Sequence, residues 1–351
     1  MKVRLVVAAI CASVLISDAS AGNGNYEVWV TNERSGNVTI LNGEGQVETT
    51  LAVGKRPRGI HVSPDQKTIY VAVSGTPIGA PPKLDKNGNP IFSKKDDDDD
   101  AESSDKSADG IVVVDVAARK LLRKLNAGSD PEQFSLSKDG EKVYASNEDV
   151  GTATVLDLKS GKVEQIITVK KEPEGVETTP DGKYFYVTCE TDGAVFVIDA
   201  MKYSVVSELK LNVRPRSVAF LPDGSKAYIP SESTGKIHVI DNHGFKLLNT
   251  VPLPIGSRPM CVQVTHDGDK LLVSTGRGGM ILVLSPVDCT VVNSIKVGAR
   301  PWGIGISPDD KRLYSANGPS NDVSIVDLET AKELARVKAG NSPWGIAIVK
   351  K

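Results

Sequence analysis

"ARPWGIGISPDDKRLYSANGPSNDVSIVD", residues 299–327, decides the fold, because weaker copies of it run back toward the N-terminus. Its proline recurs as Pro57, Pro131, Pro173, Pro215, Pro259, Pro301 and Pro343, at intervals of 74, 42, 42, 44, 42 and 42 residues. One unit is therefore used seven times, with an insertion in the long interval. Self-similarity at a fixed period of this length is the mark of a repeat architecture. Within the unit that starts at Pro173, "PEGVETT" alternates apolar and polar residues, "PDGK" is a turn, and "YFYVTCE", "AVFVIDA" and "YSVVSELKL" are three further β-rich runs. Each has strand length and is bounded by Gly, Asp, Asn or Pro. Four short antiparallel strands repeated seven times predict an all-β, seven-bladed β-propeller. Asp115, Asp157, Asp199 and Asp241, spaced 42 apart, keep the register of the third strands, and Ser285 replaces Asp in blade 6.

The chain ends predict how the ring closes. After Pro343 only one strand, "WGIAIVK", remains, while the N-terminus supplies "YEVWVTN", "NVTILN" and "VETTLAV". One blade should combine the last strand with the first three, a latch that hides two strand edges.

Before the repeats, "MKVRLVVAAICASVLISDASA" carries Lys2 and Arg4, an apolar run from Leu5 to Ile16, and an Ala-x-Ala site at Ala19 and Ala21. It reads as a secretory signal over 1–21, cleaved after Ala21, with an apolar run too short to span a bilayer. A single propeller over 22–351, periplasmic or secreted and monomeric, is the expected mature chain. A net charge of −2 gives no electrostatic case for nucleic-acid binding. Cys189, Cys261 and Cys289 permit at most one disulfide, and all three are read as unpaired.

The second strands "WVTN" (29–32), "YASN" (144–147), "YVTC" (186–189) and "YSAN" (314–317) resemble the YVTN-type β-propeller repeat. More narrowly, "GSDPEQFSLSKDG", "NED", "EPEGVETTPDGK", "RPRSVAFLPDG", "TGRGG" and "GARPWGIGISPD" resemble exported β-propeller proteins associated with pyrroloquinoline-quinone (PQQ)-dependent alcohol catabolism. That resemblance implies a non-enzymatic periplasmic binding or accessory protein. It has no cofactor of its own, takes PQQ as a candidate ligand, and has a quinoprotein dehydrogenase or a small anionic molecule as partner. The alternatives are a propeller lactonase-like hydrolase or isomerase and a cell-surface structural or interaction protein.

Propeller geometry assigns the loops to faces. The x-Pro-x phrases and the loops between second and third strands share one face, the mouth, and the "PDG" turns lie on the other. The residues flanking the prolines should ring the channel entrance: Arg56, Arg58, Asp130, Glu132, Glu172, Glu174, Arg214, Arg216, Arg258, Arg300, Trp302 and Trp344. Guanidinium groups beside indoles suit a planar ligand bearing carboxylates, while mutual neutralisation of acidic and basic sectors is the competing reading. The insertion, Gly75 to Asp109 with five aspartates at Asp96–Asp100, reads as a flexible acidic loop on the mouth face rather than a calcium site. His61, His238, His243 and His266 have no metal-ligand spacing and none is expected at the mouth. A lactonase would need Arg, Glu and His converging there, so no catalytic residue is assigned.

Overall fold

The seven repeats form seven four-stranded antiparallel sheets in the computed structural model, which describes residues 25–79, 83–84, 90–91, 104–211 and 214–351. Residues 1–24, which include the expected secretory signal, and most of the insertion, Asp96–Asp100 included, lie outside the described residues. In blade 4 the order from the channel outward is Pro173–Thr178, Tyr184–Cys189, Ala194–Asp199 and Val205–Lys210. Blades 2, 3, 5, 6 and 7 repeat it in chain order. Blade 1 is the latch: Pro343–Lys350 is its innermost strand and pairs antiparallel with Tyr26–Asn32, with Trp29 opposite Ala347.

Alternation along the second and third strands packs each blade against both neighbours, and the buried apolar residues divide into seven clusters, one per blade interface. Trp29 of blade 1 packs with Ile69 and Val71 of blade 2, and Tyr144 of blade 3 stacks on Phe185 of blade 4 at 4.1 Å. Fourth strands are mostly exposed, as an outer edge must be.

The repeated polar residues have local reasons. Each third-strand aspartate accepts from the turn that follows: Ala118 N to Asp115 Oδ1 and Ser160 N to Asp157 Oδ1, both 2.7 Å. Ser285 performs this turn-capping in blade 6 by accepting from Val287 N at 3.3 Å. A hydroxyl at or one residue before the end of the second strand reaches across to the next blade. Thr31 Oγ1 donates to Arg58 O at 2.7 Å, Ser146 Oγ to Glu174 O at 2.7 Å and Ser274 Oγ to Trp302 O at 2.6 Å. Those acceptors are the residues just after the prolines, so the second strand of one blade fixes the mouth residue of the next. Cys189, Cys261 and Cys289 are free thiols, with Cys189 and Cys289 buried and Cys261 half-buried.

Candidate functional site: the channel mouth

Five of the seven residues that precede the repeat prolines adopt a left-handed backbone: Arg56 (φ 44°), Asp130 (46°), Glu172 (51°), Arg300 (50°) and Ser342 (54°). For residues with a Cβ this costs about 1–3 kcal/mol each, and proline further restricts the residue before it. The conformation sits where the chain leaves an outer strand and enters the channel.

The predicted mouth residues come together, and their arginines are paired with carboxylates or stacked on indole. Arg58 is 1% exposed along its side chain; its Nη2 lies 2.5 Å from Asp130 Oδ1 and its Nη1 3.1 Å from Glu148 Oε2 and 3.3 Å from Glu132 Oε2. Arg56 Nε donates to Glu33 Oε1 at 2.9 Å. In the next sector Arg216 pairs with Glu174 (Nη1 to Oε2, 2.7 Å) and with Glu190, while Glu232 stands 3.6 Å from its Nε. Arg214 pairs with Glu190, and Arg258 lies 3.4 Å from Glu232. Trp302 and Trp344 stack with centroids 5.5 Å apart, and Arg216 and Arg300 lie over Trp302 at 5.3 and 4.9 Å. Glu172 is exposed and accepts from Thr191 outside this network.

Four members were not singled out from the sequence: Glu33, Glu148, Glu190 and Glu232. Each directly follows a second strand, and the last three are spaced 42 apart. That period was the available signal. They belong to the loops expected at the mouth, and they supply the partners of the arginines. Counting them with Asp130, Glu132 and Glu174, seven carboxyl groups among the described residues pair with the guanidiniums of Arg56, Arg58, Arg214, Arg216 and Arg258.

The surplus of acid shows in the titration. Burial pushes the Glu174 carboxyl up to about 8; Arg216 opposes that rise, and Glu148 and Glu232 add to it. Burial likewise holds Glu132 well above the ordinary range against the pull of Arg58. Burial would also raise Asp130, but Arg58 and Arg56 outweigh it and keep that carboxyl below its ordinary value. The mouth thus contains carboxyls on both sides of neutrality, the condition for general acid–base work. No histidine joins them among the described residues. His61 lies deeper in the channel, His238 of a third strand bonds Thr250 of the fourth, and His243 and His266 sit in turns, as expected. No group of three or more His, Cys, Asp or Glu suited to a metal occurs among the described residues.

The insertion leaves between the second and third strands of blade 2, on the mouth face, and its stem is tied there. Asp109 accepts from Gly75 N at 2.8 Å and from Asp130 N at 3.0 Å, and Lys106 pairs with Asp149.

Residues 176–342, just under half of the chain, match the family model described as "Lactonase, 7-bladed beta-propeller". No curated protein matches the chain in sequence. Among solved structures, the periplasmic gluconolactonase of Pseudomonas aeruginosa is similar at 20% identity and TM-score 0.69, covering 92% of this chain and 99% of that one. A putative 6-phosphogluconolactonase of Bacteroides fragilis aligns at 19% identity and TM-score 0.72, covering 95% and 100%. Hydrazine synthase of Kuenenia stuttgartiensis aligns at 19% and 0.69, covering 85% and 91%. At these identities the likeness shows the fold.

The lactonase match corrects the leading expectation from sequence, a non-enzymatic accessory of PQQ-dependent alcohol oxidation, in favour of the lactonase alternative. The physical reason lies in where the resembling phrases fall. The "PDG" turns, the glycines after the prolines and the strand-end Ser, Thr and Asn hold blades together, and a propeller needs them whatever it binds.

Proposed function

We propose that the protein is an exported hydrolase of the lactonase type, acting in the periplasm on a neutral, polyhydroxylated lactone at the channel mouth. The observation that carries this reading is the pairing of Glu174, a carboxyl protonated near neutral pH, with Arg216 beside the Trp302–Trp344 platform. Within the fold, the match of residues 176–342 to a lactonase family model supports the reaction class.

The residues suit the chemistry. Trp302, half-buried, offers an indole face to the C–H surface of a sugar ring. The part-exposed guanidiniums of Arg258 and Arg300 polarise the lactone carbonyl, where negative charge develops as water adds. As the ring C–O bond breaks, Glu174 gives its proton to the departing ring oxygen, and a proton of the attacking water returns to the carboxylate. Arg216 pins Glu174 in place, and this acid stands in for the histidine that a lactonase was expected to need. A neutral substrate suits the mouth because an anionic one would have to displace a carboxylate from an arginine already paired.

The test is hydrolysis of D-glucono-δ-lactone and its 6-phosphate, followed by acid release with purified mature protein. The neutral lactone is expected to open faster than its spontaneous rate and faster than the phosphorylated one. Glu174→Gln should lower kcat by about 10²–10⁴-fold. Lactone opening at the uncatalysed rate would end this reading.

A further inference from the structure

Below the mouth the channel widens into a chamber of about 400 Å³, within the range of small-molecule sites. Its lining starts two or three residues after each proline and runs to Pro180 and His266, turn residues of the opposite face, so the mouth arginines and tryptophans are not part of it. We propose that this chamber is a second ligand site, for a small primary amine whose ammonium group is held by Glu177. The inference is independent of the hydrolase reading.

Charge decides the ligand class. Among the described residues no lysine or arginine lines the chamber, and Glu177 is its only acidic side chain. Glu177 has no ion-pair partner there; its one hydrogen bond is with the Thr178 backbone. The other ionisable groups do not supply a positive charge. His61, packed edge-on to Phe134 at 4.8 Å, is pushed down to about 4 by burial and stays neutral. Burial pushes the Cys261 thiol up to about 11. His266, at the rim, is taken by Asp310 at 2.6 Å. A carboxyl facing an enclosed space without a counter-charge is stabilised by a cation that brings one.

Shape decides the rest. His61, Glu177 and Gln263 come from blades 2, 4 and 6, and the lining includes no group of three metal-ligating side chains. Between them the lining is mixed: Gln133, Thr178 and Ser217 are polar, and Val176, Val218, Ile304 and Ile306 are almost wholly buried in the blade interfaces. An ammonium head against Glu177, with a small body among these side chains, suits such a lining.

The test is calorimetric titration of the full mature chain with benzylamine and with benzyl alcohol, its neutral isostere. The amine is expected to bind about tenfold more tightly or better, the worth of a charge-assisted bond. Glu177→Gln should abolish that preference. A second readout uses Cys261, the half-buried thiol of the lining: benzylamine should slow its modification by methyl methanethiosulfonate at mildly alkaline pH, followed by mass spectrometry, while benzyl alcohol should not. This measurement needs only the unaltered chain and decides the matter if the variant does not fold. Equal binding of amine and alcohol, a preference that survives Glu177→Gln, or a Cys261 reactivity that ignores the amine would each overturn the proposal.

Discussion

Glu174 and Glu177 stand three residues apart on one strand and meet different surroundings. Glu174 lies among arginines and other carboxyls at the mouth, whereas Glu177 faces the chamber without a cation. Burial raises both, to about 8 and about 7, from an ordinary value of 4.5. For a carboxyl raised on folding, the folded state binds the extra proton, so stability is fully present below the unfolded value and is lost as pH rises through the folded one. For Glu177 that window runs from 4.5 to about 7. Glu177→Gln, a neutral isostere, should therefore match the parent in acid and exceed it above the window. The gain, discounted for partial exposure, is on the order of 2 kcal/mol. Urea unfolding of both proteins on either side of the window measures it, and equal stability throughout would show that the carboxyl is not penalised by the chamber. At Glu174 the same sign has a kinetic consequence: the acid form is the working one, so hydrolysis should decline as pH rises through about 8.

At the scale of the strand, the mouth side chains are only as well placed as the backbone that carries them. Adjacent innermost strands approach most closely two residues after the prolines, where Gly59, Gly175, Gly303 and Gly345 sit. A Cβ on Gly175 would stand 2.5 Å from Arg216 O and 2.8 Å from Ser217 Cα, both backbone atoms of the next blade. Gly175→Ala must push the Arg216 strand away from Glu174, at a stability cost of about 1–3 kcal/mol. Because Arg216 orients the proposed acid, kcat should fall more than KM rises, and melting together with lactone kinetics tests both. Wild-type kinetics in a folded Gly175→Ala protein would show that the Arg216–Glu174 contact is dispensable. This level was half legible in the sequence. The strand-end Ser, Thr and Asn stood out as a motif, but their partners lie on neighbouring blades. That Ser146 secures Glu174 depends on a contact across 28 residues that no local pattern encodes.

At the scale of the whole ring, the blade count, strand order and latch were readable because periodicity survives without coordinates. The pairing of the mouth was not, because closure sets it. Arg58 meets Asp130 and Glu148 only when blade 3 packs beside blade 2, and seven separate units must meet before the chamber exists. Closure rests on Pro343–Lys350, whose Trp344, Ile346, Ala347 and Val349 are buried and whose Gly345 N donates to Thr31 Oγ1 at 2.8 Å. The junction is further tied by Lys351 N to Asn25 O at 2.9 Å and by the Tyr26–Tyr314 hydroxyl contact at 2.8 Å. Burying a large apolar side chain stabilises by about 1.5–3 kcal/mol, and a domain retains only about 5–15 kcal/mol in all. Deleting residues 342–351 removes most of these contacts and opens strand edges in the first blade. The truncated protein should therefore lose its cooperative thermal transition and its near-ultraviolet dichroism. A synthetic peptide of residues 342–351 should restore both in a concentration-dependent way, since an open edge accepts an added strand through its backbone hydrogen bonds. Restored protein should regain lactone hydrolysis as well, because Trp344 returns to its stack on Trp302. A truncated chain that melts cooperatively at the parent temperature would mean that the ring is held shut elsewhere, and that the latch strand contributes little to closure.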